Sequence, residues 1–253
     1  MEYKGAQNNL LYIILKLHDL GVSDQQLTSV YHSIIHSMDT LLLPKIYKLY
    51  APLHINNCMY SSYLEFFGRQ VINHGIQDTL NQFFYCTSLS QSIGSQCLPM
   101  VHLALGLKHD YPEIITQALS YAATSYQDTS FLLDERGVLY NNGYFTAYEI
   151  LINQVKVDPR FGSFSSKLTY RKILKSAREL LHTYVYLWEL PNNIEDALNE
   201  LRVLAACLLL SPTDNDRQQN HTGLDITGNL LKSINAMDIL YPNNTCPTLL
   251  VRL

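Results

Sequence analysis

The chain has 253 residues, 47% apolar and 16% charged, with a formal net charge of −4 and a pI near 6.1. That balance supports a substantial buried core and excludes a disordered or coiled-coil chain. The slight acidity offers no attraction for nucleic acid or an anionic membrane, and the densest basic group, "RKILKSAR" at 171–178, reads as the wet face of a helix.

Helical signals run along almost the whole chain. "NNLLYIILKLHDL" reads as a mostly buried helix that stops at Gly21. "SDQQLTSVYHSIIHSM" opens on Ser23 with Gln26 three residues later, a capping-box arrangement. Its apolar positions Leu27, Val30, Tyr31, Ile34, Ile35 and Met38 form one stripe. His32 and His36 have the spacing of a metal pair but fall opposite that stripe, so they read as surface residues with a metal site as the alternative. "YSSYLEFFGRQVINHG" places Tyr60, Tyr63, Leu64, Phe67 and Val71 on one side and ends at Gly75.

"SQCLPMVHLALGLKHD" is an apolar run with His102 in its middle: either a core histidine with a satisfied hydrogen bond or a member of a reaction site. "PEIITQALSYAATSY" starts with Pro112 at the favoured first helical position and turns Ile114, Ile115, Ala118, Leu119 and Ala122 inward. "GVLYNNGYF" reads as a small hairpin or an irregular turn. Two longer helices follow. One is "KLTYRKILKSARELLHTYVYLWEL", ended by Pro191, and the other is "IEDALNELRVLAACLLL", capped by Asn193 and stopped at Ser211 and Pro212. "PTDNDRQQNHTG" reads as a loop, and "LDITGNLLKSINAMDIL" resumes helical spacing. Strand alternation is not sustained and no fixed-period repeat occurs. The expected architecture is one all-α domain over 1–253 with roughly eight to ten helices.

The common catalytic motifs are missing. No G-x-G-x-x-G follows a strand, and there is no Walker loop, G-x-S-x-G, H-E-x-x-H or paired-cysteine zinc spacing. Cys58, Cys86, Cys97, Cys207 and Cys246 leave an odd thiol over, and with no signal segment they point to reduced cysteines in a cytoplasmic protein. The sequons at Asn220 and Asn243 then stay idle. The apolar run in "RVLAACLLLSP" falls short of the ~20 residues of a membrane span, and the final "VRL" resembles a peroxisomal address only loosely. His182 reads as a partly buried helix residue, with His18, His54, His109 and His221 near helix ends or loops. Eighteen tyrosines accompany one tryptophan. Tyr12, Tyr60, Tyr63, Tyr121, Tyr126, Tyr144 and Tyr148 fall on predicted helices, where they either pack the core and its boundary or line a cavity for a flat aromatic ligand.

Four stretches carry a family resemblance. They are "NNLLYIILKLHDLGVS", "YLEFFGRQVINHGIQDTLNQFF", "LPMVHLALGLKHDYPEIITQAL" and "DITGNLLKSINAMDIL", in order across most of the chain. Together they resemble the questin oxidase-type family, fungal Baeyer–Villiger-like oxidases that open anthraquinone rings in polyketide pathways, including that of aflatoxin. The resemblance implies an NADPH-dependent, monooxygenase-like oxidoreductase acting on a hydrophobic aromatic molecule, without nucleic-acid or membrane partners. It implies catalytic roles for His102, Tyr12, Asn9 and Asn229, and substrate contacts from Asn8, Tyr63 and Phe67. His102, Asn9, Tyr12 and Asn229 are expected to converge on one aromatic-lined cavity.

The chain departs from the family where histidines are usual. Asn9, Tyr12, Leu98 and Asn229 stand in those places, and Lys108 stands where an acidic residue is common. Asparagine only hydrogen-bonds and leucine does not even do that, so these exchanges remove general acid–base groups. The alternative is a catalytically silent helical homologue that binds a ligand or a protein. The chain also ends soon after the fourth stretch, which suggests a shortened C-terminus.

Overall fold

The computed structural model describes residues 2–3, 6–7, 10–37, 57–132, 143–162, 174–191, 193–210 and 222–240. The architecture is all-α, as the periodicity predicts. The chain forms two compact units, Met1–Tyr63 and Leu64–Leu253.

In the first unit a minimal antiparallel ladder, β1 (Glu2–Tyr3) and β2 (Ala6–Gln7), precedes α1 (Leu10–Asp19) and α2 (Asp24–Ser37). The predicted stop at Gly21 is present. Its φ of 77° lets its N–H donate to the His18 carbonyl at 2.9 Å and the Val22 N–H donate to Leu17 at 3.1 Å. The Ser23 N–H and hydroxyl both donate to Gln26 Oε1, at 3.3 and 2.9 Å, which fixes the start of α2. α1 differs from expectation in burial: none of its residues is fully buried. It packs on α2. His32 is exposed, and the side chain of His36 lies outside the described residues.

α3 (Asn57–Leu80) carries Phe67 and Val71 to the interior and leaves Ile72 exposed. Gly75 breaks its helical path, with φ 80° and ψ 169°, but does not end it. The Thr79 hydroxyl donates to the Gly75 carbonyl at 2.7 Å and the helix resumes at once. A π-helical turn, Asn81–Tyr85, then buries Phe84 and Tyr85. The Tyr85 hydroxyl donates to the Leu240 carbonyl at 3.2 Å, and burial pushes its pKa up to about 12.

The centre of the second unit is α4 (Leu98–Lys108), which is apolar on nearly every side and buried from Leu98 to Val101 and again from Leu103 to Gly106. α5 (Pro112–Thr124) packs against it and turns Ile115, Ala118, Leu119 and Ala122 inward. Gly106 permits this approach, since a Cβ there would stand 2.7 Å from Ile115 Cγ1 and 3.0 Å from the Ile115 nitrogen.

The predicted helix through residues 167–190 is shorter than its pattern. Residues 167–173 lie outside the described part, buried Ala177 leaves helical geometry at φ −110° and ψ 23°, and α6 runs only over Arg178–Tyr186. It stops before Pro191 because the Leu187 carbonyl accepts from the Tyr144 and Phe145 N–H groups at 3.2 Å, while the Glu189 N–H donates to Phe145 at 2.9 Å. The rest of the possible hairpin around 137–142, and most of the predicted loop at 212–223, lie outside the described residues. α7 (Ile194–Leu210) starts as predicted, with Asn193 Oδ1 accepting from the Glu195 N–H at 3.0 Å.

α8 (Thr222–Leu240) packs on both α4 and α7. Leu198, Ala205 and Ile234 close the α7–α8 contact, with Leu201, Leu231 and Met237 against them. Arg202 crosses this seam to pair with Asp238. Of the tyrosines expected either to pack the core and its boundary or to line a cavity, Tyr12, Tyr60, Tyr63 and Tyr121 are partly buried on helices. Tyr126 and Tyr144 lie off the helices, and Tyr144 is 83% exposed.

The close approach at Gly106 gives a test of this packing. Gly106→Ala should destabilise the protein by about 1–3 kcal/mol despite the better helix propensity of alanine, because the methyl must displace Ile115. Denaturant melts of the two proteins measure it, and an unchanged midpoint would mean that α4 and α5 do not meet at this residue.

Candidate functional site

His102 is the polar exception in α4, between Val101 at 3% exposure and Leu103 at 1%. As a residue it keeps slight exposure, but its Nε2 atom is buried and has no hydrogen-bond partner among the described residues. Leaving such an atom unsatisfied costs about 1–3 kcal/mol. Of the two readings that the sequence leaves open, this orphaned nitrogen favours a member of a reaction site. Burial, chiefly, with positive charge that includes the Lys232 ammonium as a smaller part, pulls the His102 pKa from 6.5 down to about 4. The imidazole is neutral at physiological pH and keeps both a donor and an acceptor nitrogen. The ring of Tyr121, on α5, lies 6.2 Å away, centroid to centroid.

The segment before α4 sets its position. Ser95, Gln96 and Cys97 all adopt left-handed backbone angles, with φ of 50°, 56° and 61°. Each such residue costs about 1–2 kcal/mol without glycine, so the turn needs ties on both sides. On one side Ser92 Oγ accepts from the Gly94 N–H at 3.1 Å and the Gln127 N–H at 2.8 Å, with Gly94 pressed against the Ser125 carbonyl. On the other, Asn229 Nδ2 of α8 donates to Gln96 Oε1 at 3.2 Å, and Cys97 is hydrogen-bonded to Ser233. Asn229 is itself buried, and its Oδ1 accepts from Lys232 Nζ at 3.2 Å. The Ser233 hydroxyl also donates to the Asn229 carbonyl at 2.7 Å. Burial pushes the Cys97 thiol up to about 11, so it stays protonated and is no nucleophile.

Of the expected catalytic residues, His102 stands on α4 beside Tyr121 of α5, and Asn229 stands on α8, which packs on α4, and is bonded to the turn before it. Tyr12 stands half-buried on α1 in the first unit, where burial raises its pKa, and Lys16 lies 5.8 Å from its ring. Asn8 and Asn9 lie outside the described residues. Tyr63 is partly buried at the end of the first unit. Phe67 belongs to an edge-to-face aromatic cluster, 5.1 Å from Phe66 and 5.9 Å from Phe83.

Sequence reasoning missed Lys232, Gln96 and the Cys97–Ser233 contact. Lys232 and Ser233 follow Asn229 by three and four residues, which puts them on its face of the helix and would have marked them had α8 been docked. Nothing local marks Gln96.

A groove of about 650 Å³ opens elsewhere in the second unit, lined by Arg160, Lys175, Ser176, Arg178, Glu179 and Thr183 among others. None of the expected site residues lines it. Arg160 is held there by Asp158, at 2.6 Å, which keeps that carboxyl well below the usual carboxylate range. No group of His, Cys, Asp and Glu suited to a metal occurs among the described residues, and no helix there is long and apolar enough to cross a membrane.

The buried imidazole makes stability depend on pH. Unfolded, His102 takes up a proton near 6.5; folded, only near 4. Between those values the unfolded state binds more protons, so stability should fall as pH drops from 6.5 to 4, by on the order of 3 kcal/mol in all. Urea titrations across that window measure the slope. His102→Leu should flatten it, and equal slopes in both proteins would show that the ring is not buried.

The Questin oxidase-like family model matches residues 6–226. The match spans the first three stretches that carry the resemblance and only Asp225 and Ile226 of the fourth. No curated protein and no solved structure matches the chain. With the family covering most of its length, the chain belongs to the questin oxidase-like family.

Proposed function

We propose that this protein is an oxidoreductase in which His102 handles a proton at an oxygen atom of a hydrophobic aromatic substrate. An anthraquinone or related polyketide is the substrate class, and the reaction is an NADPH-dependent, Baeyer–Villiger-type oxidation that opens a ring. Family membership supports an oxidoreductase-type function in general. The observation that carries the site assignment is the buried Nε2 atom of His102 without a partner. A neutral imidazole at that place can accept a proton from a bound hydroxyl or donate one to a carbonyl oxygen. Asn229, with Nδ2 committed to Gln96 and Oδ1 to Lys232, holds the surroundings in place and shuttles no proton. A cytoplasmic location is part of the same proposal.

A nicotinamide cofactor, when bound, supplies two electrons as hydride. Among the described residues, the donors suited to its phosphate groups are Lys175, Ser176 and Arg178 in the groove. Arg160 there is already engaged by Asp158.

One observation favours the alternative of a catalytically silent, ligand-binding homologue. Two positions where the family has histidines serve packing here: Leu98 is a core residue at 1% exposure, and Asn229 is a buried structural tie. Recording NADPH oxidation and oxygen uptake against a panel of anthraquinones separates the readings. The oxidoreductase should consume NADPH with at least one member. His102→Gln, folded by circular dichroism, should lower turnover roughly a hundredfold or more. No consumption with any member, or full turnover in His102→Gln, leaves the silent binding protein as the reading.

A further inference from the structure

Lys232 lies one turn beyond Asn229 on α8, only partly exposed, and donates its ammonium to the Asn229 side-chain oxygen at 3.2 Å. The same amide donates to Gln96 Oε1 at 3.2 Å. Gln96 is the middle residue of the left-handed turn from which α4 starts, and His102 follows on the second turn of that helix. A lysine enters a helix interface rarely, because its charge is expensive to desolvate. We infer that Lys232 is a positioning residue of the His102 site, its ammonium fixing the Asn229 amide and, through it, the Gln96 turn that sets the place of α4. The inference rests on reading His102 as the proton-handling group.

Two effects act together. The ammonium polarises the Asn229 amide, and a charge-assisted bond of this kind strengthens the next one in the chain, here Asn229 to Gln96. That tie works against the cost of three consecutive left-handed residues. The fixed charge also opposes a second positive charge on the imidazole, in the same direction as burial. Other titratable groups among the described side chains of the packed elements are Lys108 of α4, Glu113 and Tyr121 of α5, Cys97 of the turn and Asp238 of α8. Asp238 is bound to Arg202, and the Cys97 thiol is protonated. Among the charged side chains of these packed elements, Lys232 bears on His102, as the smaller of the two positive charges that do. Negative charge developing on a substrate oxygen beside Nε2 would be stabilised by the same ammonium.

The test is an NMR titration of the His102 imidazole in the full chain without substrate, its signal assigned by its loss in His102→Leu. The wild-type midpoint should lie at about 4. Lys232→Gln, which keeps a donor for Asn229 but removes the charge, should move it measurably upward, by the smaller part of the shift that burial leaves to Lys232, and Lys232→Arg should leave it in place. Lys232→Met, which keeps the aliphatic stem, serves the same purpose if the glutamine variant does not fold. In active protein the acid limb of the pH–rate profile should move the same way. An unmoved midpoint in the folded Gln or Met variant overturns the inference. Because the titration needs no turnover, absence of oxidoreductase activity would overturn the proposed function and leave the role of Lys232 standing; an unmoved midpoint in an active enzyme would overturn the role of Lys232 alone.

Discussion

The hydrogen bond from Asn229 Nδ2 to Gln96 Oε1 joins residues 133 positions apart and fastens α8 to the turn in which α4 begins. That turn places three successive non-glycine residues in left-handed geometry, which the backbone does not adopt without outside help. With it fastened, α4 enters the middle of the unit at a fixed angle and register, and its one imidazole stands beside Tyr121 of α5. Without it, the Cys97–Ser233 hydrogen bond would be left to tie the turn to α8, and the place of α4, and of His102 on it, would be less firmly set.

The chemistry that these surroundings allow is narrow. Burial and a nearby ammonium keep the imidazole neutral, and burial keeps the neighbouring Cys97 thiol protonated. Neither group therefore offers a stable charge of its own, so the site suits hydrogen bonding and proton transfer to a neutral, oxygen-bearing ligand better than attack by a thiolate. Leu98 belongs to the core, and Asn229 is the buried tie to the Gln96 turn.

Much of the fold was legible because its signals are local. The stop at Gly21, the caps at Ser23 and Asn193 and the start at Pro112 depend on residues within a few positions of each other, and each appears where its pattern places it. The failures are non-local. Ala177 breaks a continuous helical pattern, and α6 ends early because Leu187 and Glu189 pair with Tyr144 and Phe145, more than forty positions away. Gly75 could be read as a stop but not as a break after which the helix resumes. The same distinction divides the site. His102 was visible as a polar residue in an apolar run, whereas Lys232 and Gln96 acquire meaning only from the docking of α8 on α4, which no spacing along the chain encodes.

The account stands on the state of one atom, Nε2 of His102. A crystal structure at a resolution that orders water, taken near neutral pH, tests it most directly. The account predicts a solvent or ligand atom within hydrogen-bonding distance of Nε2, in a space bounded by α4 and α8. A protein side chain or carbonyl bonded to that nitrogen, with close packing around the ring, would contradict it.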